Sequence, residues 1–552
     1  MTGRYERVIQ FGKSSLQKLV SSLQRFPETL LLCTATAVVL MLLNHGEPGA
    51  DTSSGDLLMR LAAVLALGVP LSLCLKVYFE RASALKTAPR IAIYTGAAAA
   101  LILYYLFLIK DFEMVSLTRY AAVSLALYLV FTFIPYFYRR QNYELYVIKL
   151  FISFFVTYLF ASVLLGGLSA ILATVGYLFS MQIPTELYGD ISLIVGGIFA
   201  PAFFLADIPQ SNQDPDPKSY PKVIGILLSY IMMPLILAYS IILYLYFIKI
   251  LVAQQWPEIM VSHLVLWYAI ISTLVLFGIH PQRKESRWNE IFTAFFPKLV
   301  LPLLALMFAA MGIRIHAYGI TENRYFVLAA GLWVTGAMLY LILTRKPRNL
   351  FLPASLALVA VLSVFGPWSS YSLSVYSQNR QFDKIAAEHD LIQDGKIADT
   401  AADLPEETKQ ELSSILLYFD RQHGLDRLQA LPEDFSLEEM ETLLGFPIDE
   451  YTLPGDQEEV YFHYSLDTKE AFFDISDFDY FMHFTSVEQR YHAGALEAAY
   501  SPEGHELKIV LHGEPVYSKN VAAIAEKLHY GSAGTLSEDL LSKERATHVD
   551  HR

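Results

Sequence analysis

The segment 144–178, which reads ELYVIKLFISFFVTYLFASVLLGGLSAILATVGYL, decides the class of this protein. Between Leu150 and Leu178 it contains no Asp, Glu, Lys or Arg. A helix needs about 20 apolar residues to cross the hydrocarbon layer of a membrane, and its backbone groups must be paired internally because lipid offers them no partners. The segment therefore predicts a membrane-spanning helix that is long enough to tilt or to project beyond the bilayer.

Apolar runs of the same character precede and follow this segment. The chain is 54% hydrophobic and only 17% charged, whereas a soluble protein carries about 25% charged residues. We predict a membrane all-α fold with about eleven transmembrane helices, in which Pro234, Pro297 and Pro302 introduce kinks. The predicted spans are 28–44, 56–79, 89–109, 115–138, 144–178, 185–206, 222–252, 260–279, 290–313, 324–344 and 349–367.

Charged residues are distributed unevenly along the chain. Residues 371–552 contain 14 Lys or Arg and 36 Asp or Glu, a net charge of −22. Of the totals of 41 basic and 54 acidic residues, 27 and 18 remain for the rest of the chain, a net charge of +9. Phosphate backbones would repel such an acidic region, and we therefore exclude nucleic acid as a partner.

The pattern after the last apolar run predicts a C-terminal soluble α+β domain. Residues 376–395 and 405–424 show the apolar stripe of amphipathic helices. A further helix is predicted at 519–529. Short aromatic and β-branched runs predict strands at 460–464, 471–475, 480–484, 494–500 and 507–511.

Lys and Arg also predict the orientation, because they concentrate on the cytoplasmic side of membrane proteins. The N-terminal segment and the even-numbered loops contain them, whereas loops 45–55 and 179–184 contain none. The N-terminus is therefore expected in the cytoplasm of a multi-pass cell-membrane protein. The predicted regions are a cytoplasmic basic amphipathic segment (1–27), a polytopic transmembrane domain (28–367), an extracytoplasmic acidic α+β domain (368–530) and a disordered tail (531–552).

The densest polar cluster follows the ninth predicted helix. It contains Arg314, His316, Tyr318, Glu322 and Arg324. Two guanidinium groups beside a helix N-terminus favour phosphate or carboxylate, so one interpretation is a site for an anion or a lipid headgroup. The other is an interfacial turn whose arginines extend towards water and pair with the glutamate.

Other polar residues fall inside the predicted spans. Lys298 lies about 12 Å along the ninth helix, and ionisable groups at such depth are often functional. Tyr230, Tyr239, Tyr246 and Lys249 in the seventh run could line a polar cavity. The alternatives are a lysine that extends to the interface and tyrosines that pack between helices.

The sequence contains no pattern that indicates a metal or a cofactor. It has no His-Glu-x-x-His, no paired Cys and His, no Walker loop and no dinucleotide fingerprint. We therefore predict neither a metal site nor a cofactor, and the sequence leans against an enzyme without excluding one. No catalytic residues are identified.

Three stretches resemble a known family. The first is Pro221–Pro257, the second is Arg314–Trp333 with its Arg-to-Tyr motif, and the third is Gly366–Gln378. Together they look like the bacterial polytopic membrane proteins grouped as domain of unknown function 4153. The resemblance implies a bacterial cytoplasmic-membrane protein with a periplasmic or extracellular C-terminal module. It implies no activity.

Three functions remain open at this point. The first is transport or handling of an anionic lipid or small anion, with membrane lipids as partners. The second is an envelope sensor or scaffold whose outer domain binds a protein or ligand. The third is a membrane-embedded transferase acting on a lipid-linked substrate, with His316 and Glu322 near the phosphate.

Overall fold

In a computed structural model the chain forms two compact units, Met1–Glu459 and Val460–Arg552. The structure describes residues 18, 20–46, 52–81, 86–137, 142–209, 220–253, 260–389, 391–393, 396–397, 404–432, 435–437, 440, 446, 491–493, 496–501, 506–511 and 514–520.

The first unit is built almost entirely of helices. One short hairpin, β1 (Ile392–Gln393) with β2 (Lys396–Ile397), interrupts them. The helices are α1 Pro27–Asn44, α2 Thr52–Arg81, α3 Thr87–Phe107, α4 Met114–Phe133, α5 Tyr143–Phe179, α6 Thr185–Ala206, α7 Lys222–Ala253, α8 Met260–Ile279, α9 Arg287–Tyr318, α10 Glu322–Leu343, α11 Phe351–Val364, α12 Ser370–Glu388 and α13 Glu406–Gln422.

The helices α1 to α10 confirm the predicted membrane fold. Among the described residues, ten helices are long and apolar enough to cross a membrane. The eleventh predicted span corresponds to α11, which has 14 residues and ends before Gly366 with its φ of +91°. Such a helix is about 21 Å long, shorter than the roughly 30 Å hydrocarbon layer. The chain is thus a multi-pass membrane protein whose helices contact lipid.

Two of the long helices contain a π-helical segment. In α6 it spans Val195–Phe199, and in α7 it spans Leu227–Met232. The second lies just before Pro234, which lacks an N–H and whose ring excludes the carbonyl of the preceding turn. A π segment absorbs this mismatch in the hydrogen-bond ladder, so the chain continues as one helix.

Two apolar cores hold the membrane helices together. Helices α7 to α10 enclose one core, in which Val300, Leu303 and Val334 are fully buried. Helices α1, α2, α4, α5 and α6 surround the other, which includes Leu73 and Leu205. Large apolar side chains remain on the outer faces of these helices, as expected where the surrounding solvent is lipid.

The helices α12 and α13 pack against each other through a small core of their own. Phe382 from α12 meets Leu412, Leu416 and Phe419 from α13, all of them buried. Both helices were predicted from their apolar stripe. The bounds of α13 are within two residues of the prediction 405–424. Helix α12 begins at Ser370 and ends at Glu388, so the prediction 376–395 was placed six to seven residues too late and included β1.

The second unit contains an antiparallel sheet in the order β3-β4-β5-β6. Strands β4 and β5 were predicted, and β3 and β6 were not. The predicted strands between 460 and 484 lie outside the described residues, as does the helix at 519–529 except for its first two residues, which belong to β6. The strands are β3 Tyr491–Ala493, β4 Leu496–Ser501, β5 Glu506–Leu511 and β6 Glu514–Asn520.

Candidate anion site at the turn between α9 and α10

The turn after α9 depends on a glycine. Gly319 has a φ of 72° and a ψ of −175°, a region of backbone space that is open essentially only to glycine. Helix α10 then begins at Glu322, with Thr321 in the N-cap position but without a side-chain capping bond. The reversal therefore brings the end of α9 and the start of α10 together.

Side chains of α12 hold this turn in place. Gln378 Nε2 donates to the carbonyl oxygens of Tyr318 and Ile320, at 3.1 Å in each case. Ser377 Oγ accepts from Ile320 N at 2.8 Å, and Gln381 Nε2 donates to Ala317 O at 2.9 Å. The last carbonyl groups of a helix have no partner within the helix, and α12 supplies partners here.

Arg324 stabilises the same turn from the other side. Its Nη1 donates to Gly319 O at 2.8 Å and to Tyr318 O at 3.2 Å. The guanidinium group also lies over the Tyr318 ring, 5.7 Å from its centroid. The side chain is buried, so this positive charge is fixed in position beside the first turn of α10.

Glu322 is the most deeply buried carboxylate of the region, with 1% of its surface exposed. The Tyr418 hydroxyl donates to its Oε1 at 2.7 Å, and His423 Nε2 lies 2.7 Å from the same oxygen and 3.0 Å from the hydroxyl. Burial, together with the Glu322 carboxylate, raises the pKa of Tyr418. The hydroxyl thus stays protonated as a donor, and α10 is tied to α13.

These helices enclose a cavity of about 220 Å³. Three arginines line it, Arg314, Arg324 and Arg421, and Glu322 is the only carboxylate among the lining residues. The full lining is Met114, His263, Met311, Arg314, Thr321, Glu322, Asn323, Arg324, Val327, Leu417, Tyr418, Arg421 and Gln422.

The lining has the chemistry of an anion site. Guanidinium groups form strong, often bidentate hydrogen bonds with phosphate and carboxylate, and the backbone N–H groups in the first turn of a helix such as α10 have no partner within that helix. The volume suits a phosphate-sized group rather than a large ligand. Within the described residues, no group of three or more His, Cys, Asp or Glu is placed to hold a metal ion.

The predicted cluster divides between the cavity and its surroundings. Arg314, Glu322 and Arg324 line the cavity together. His316 is exposed on α9 and is not among the lining residues. Tyr318 contacts the Arg324 guanidinium group with its ring and accepts a hydrogen bond from it with its carbonyl oxygen.

The predicted intramembrane residues lie apart from this cavity. Lys298 is exposed, with Nζ 5.3 Å from the centre of the Phe295 ring on the same helix. This placement agrees with a lysine that extends along the helix surface towards the interface.

The tyrosines of α7 do not form a common face around a cavity. Tyr230 is 74% exposed, and Lys249 is exposed as well. Tyr239 packs on Tyr268 with ring centres 5.6 Å apart, and Tyr246 packs against the core of α7 to α10. These contacts agree with helix-packing tyrosines.

Several site residues had no recognisable signal in the sequence. His263 belongs to α8, and Tyr418, Arg421 and His423 belong to α13 or follow it directly. Arg421 is an exposed residue of the amphipathic helix α13, a position that by itself indicates no site. The fold brings it into the lining of the same cavity as Arg314, roughly a hundred residues away in the chain.

A second, largely buried carboxylate lies at the start of α5. Glu144 Oε1 accepts a hydrogen bond from Asn349 Nδ2 at 2.7 Å and lies 3.0 Å from His280 Nδ1. His280 Nε2 and Asn349 Oδ1 are buried and have no hydrogen-bond partner among the residues that the structure describes. The cluster joins the start of α5, the end of α8 and the loop before α11.

Comparisons with known proteins agree with this architecture. A family described as domain of unknown function (DUF4153) matches residues 30–397. An uncharacterized protein of Pasteurella multocida is 23% identical over 243 residues, which cover 43% of this chain and 42% of that relative. The match thus spans less than half of the relative. No solved structure matches the chain. The family match includes every residue that lines the cavity except those on α13.

Proposed function

Since this chain belongs to the DUF4153 family, whose description assigns no activity, we propose a function from its own site. The protein binds and handles an anionic group, either the headgroup of an anionic lipid or a small anion. The cavity formed by Arg314, Arg324 and Arg421 is the place where the group binds.

The observation that supports this proposal is the convergence of positive charge on one cavity. The lining contains three guanidinium groups and one carboxylate. That carboxylate already accepts a hydrogen bond from the Tyr418 hydroxyl. An anion that enters the cavity is attracted by these guanidinium groups. In a partly desolvated cavity this attraction is stronger than it would be in open water.

The position of the cavity fits a lipid headgroup. It lies where α9 ends and α10 begins, at the boundary of two helices that are long enough to span the membrane. Headgroups occupy this level of a bilayer, and basic residues there attract anionic lipids. The distribution of Lys and Arg in the loops supports an outer location for the turn between α9 and α10, which α12 contacts.

Transport of the anionic group across the membrane would require more than a binding site. Broken helices are usual in transporters, whereas α6 and α7 continue through their π segments as single helices. Lys298 does not contribute, because it lies on an exposed face. The structure therefore favours binding at one end of the helices, and transport is left to a flux measurement in proteoliposomes.

A sensor is the second candidate, and one observation favours it. Helix α13 supplies part of the cavity lining and ties itself to Glu322 through Tyr418 and His423. An anion that enters the cavity would therefore contact both α10 and α13, and its binding could be communicated to the C-terminal part. A transferase with His316 as base receives no such support, because His316 lies outside the lining.

The test is a binding measurement on the full chain in nanodiscs of neutral phosphatidylcholine. In one arm, inorganic phosphate is titrated calorimetrically. In the other, phosphatidylglycerol is added and retained lipid is counted by native mass spectrometry. We expect Arg314→Ala and Arg421→Ala each to weaken binding by about tenfold or more, since a charge-assisted hydrogen bond is lost.

Arg427→Ala is the matched control, because Arg427 is exposed, lies six residues from Arg421 and does not line the cavity. Arg421→Lys keeps the charge and should retain part of the affinity. Binding of phosphatidylglycerol alone would identify a headgroup site, and binding of phosphate alone a small-anion site. Equal losses of affinity in Arg421→Ala and Arg427→Ala, or no binding of either probe, would refute the proposal.

A further inference from the structure

A second and larger cavity lies among the N-terminal helices. Its volume is about 630 Å³, and no residue lines both cavities. Helices α1, α2, α4, α5 and α6 contribute to its walls. The lining is Thr29, Cys33, Thr36, Ala37, Leu40, Ala66, Val69, Leu73, Tyr128, Phe131, Thr132, Leu150, Phe151, Phe154, Tyr158, Leu193, Gly196, Gly197, Pro201, Phe204 and Leu205.

The few hydroxyl groups of its threonines are already satisfied by the protein. Thr36 Oγ1 donates to Leu32 O at 2.8 Å, and Thr132 Oγ1 donates to Leu129 O at 2.7 Å. Thr29 Oγ1 pairs with Ser72 Oγ at 2.8 Å. A water molecule needs two to four polar partners to stay in a cavity, and these threonines offer it little. Apart from Cys33 and the hydroxyls of Tyr128 and Tyr158, the other lining side chains are apolar, so the cavity suits a mainly apolar occupant.

The cavity has the length of one membrane leaflet. On α1 it extends from Thr29 to Leu40, which is about 16 Å at 1.5 Å per residue. Half of the hydrocarbon layer is about 15 Å thick. The cavity is therefore as deep as an extended lipid acyl chain within its leaflet.

The π segment of α6 makes room for this depth. Gly196 and Gly197 lie in it and line the cavity. A Cβ atom added at Gly196 would meet no atom within 4 Å. At Gly196 the backbone itself therefore borders the cavity, with no side chain between them. Segments of π-helix are frequent at functional sites.

The cavity also opens sideways towards the membrane. Phe151 and Phe154 on α5 and Tyr128 on α4 line it, and they are 64%, 47% and 49% exposed. The exposed faces of these spanning helices are apolar and face lipid. An occupant therefore reaches the cavity from the bilayer rather than from water.

We propose that this cavity is a binding site for one acyl chain of a membrane phospholipid. Its depth, its satisfied threonines and its lateral opening all favour that occupant. The inference does not rest on the arginine cavity, and either site can fail without the other.

The test uses the full chain in nanodiscs that contain a phospholipid with a photoactivatable diazirine on its acyl chain. After illumination, peptide mass spectrometry locates the adducts. We expect adducts concentrated on the cavity-lining parts of α1, α5 and α6. In Gly196→Phe, whose side chain fills the cavity, these adducts should fall by on the order of tenfold.

Gly167→Phe is the matched control. Gly167 is exposed on α5, does not line the cavity, and an added Cβ meets nothing within 4 Å there. Thr36→Leu narrows the cavity from α1 and serves if Gly196→Phe fails to fold. Adducts spread evenly over all lipid-facing helices, or an unchanged pattern in the filled variant, would show ordinary boundary lipid and overturn the proposal. Retention of a peptide or a free fatty acid instead would also overturn it.

Discussion

Two clusters contain similar groups in different surroundings: one follows the end of α9, and the other includes His280 from the loop before its start. In the first, the Glu322 carboxylate lies within hydrogen-bond distance of Tyr418 and His423. In the second, the Glu144 carboxylate lies within hydrogen-bond distance of Asn349 and His280. In both clusters one carboxylate oxygen lies within hydrogen-bond distance of a histidine and of a neutral donor from distant parts of the chain. The clusters are separated by a helix of 32 residues, about 48 Å long.

The difference lies in the neighbouring charges. The Glu322 cluster adjoins a cavity with three arginines, whereas Glu144 is not among the residues that line either described cavity. A histidine–carboxylate pair by itself thus reveals little about function. Its surroundings decide whether it only joins helices or also shapes a binding site.

The largest expected effect comes from removing the two carboxylates. Glu322→Ala leaves a buried hydroxyl and a buried imidazole without their acceptor, which should cost about 3 kcal/mol. Glu144→Ala should cost less, about 1–2 kcal/mol, because its side chain is 13% exposed compared with 2% for Glu322. The measurement is the apparent Tm of the purified variants in one detergent.

The same two variants distinguish a carboxylate that only joins helices from one that also shapes a binding site. Anion binding should change only in Glu322→Ala, because only that residue lines the arginine cavity. An equal change in phosphate or phosphatidylglycerol binding in Glu144→Ala would remove the distinction between the two ends.

A smaller effect is expected at the glycine turn. In Gly319→Ala the new Cβ would lie 3.0 Å from Gln378 Nε2 and 3.1 Å from Ser377 Oγ, at a positive φ. We expect a loss of about 2 kcal/mol in stability. Gly312→Ala is the control, since it lies within α9 and its Cβ meets nothing within 4 Å. The control should be neutral or slightly stabilising, and an equal loss in both variants would contradict the contact with α12.

The smallest effect is expected at the N-cap residue of α9. Ser286 Oγ accepts from Trp288 N at 3.2 Å and caps the helix. Ser286→Ala should lower stability by about 1 kcal/mol without changing anion binding. A change in anion binding in this variant would mean that the two ends of α9 are coupled.

Local patterns in the sequence predicted most of the fold. Apolar runs predict spanning helices because the bilayer sets their length, and α1 to α10 follow them. The end of α11 was harder to predict, because the run continues to Pro367 while the backbone turns at Gly366. The strands β4 and β5 followed from aromatic and β-branched residues.

The candidate site was only half predictable. Arg314, Glu322 and Arg324 are close in sequence, and a positive cluster beside a helix start indicates an anion site. Arg421 and His263 reach the same cavity through the packing of α13 and α8. Tertiary packing of this kind leaves no trace in local sequence, and the acyl-chain cavity is equally invisible because its lining looks like any apolar helix face.

The contact between α12 and the turn at Gly319 has a practical consequence for cutting the chain. A protein shortened at residue 367, where the last apolar run stops, would lose Gln378 and Gln381 and leave the carbonyl groups at the end of α9 exposed. It would also lose both partners of Glu322. Removing the C-terminal part without injuring the membrane part therefore requires a cut after Glu459, where the first compact unit ends.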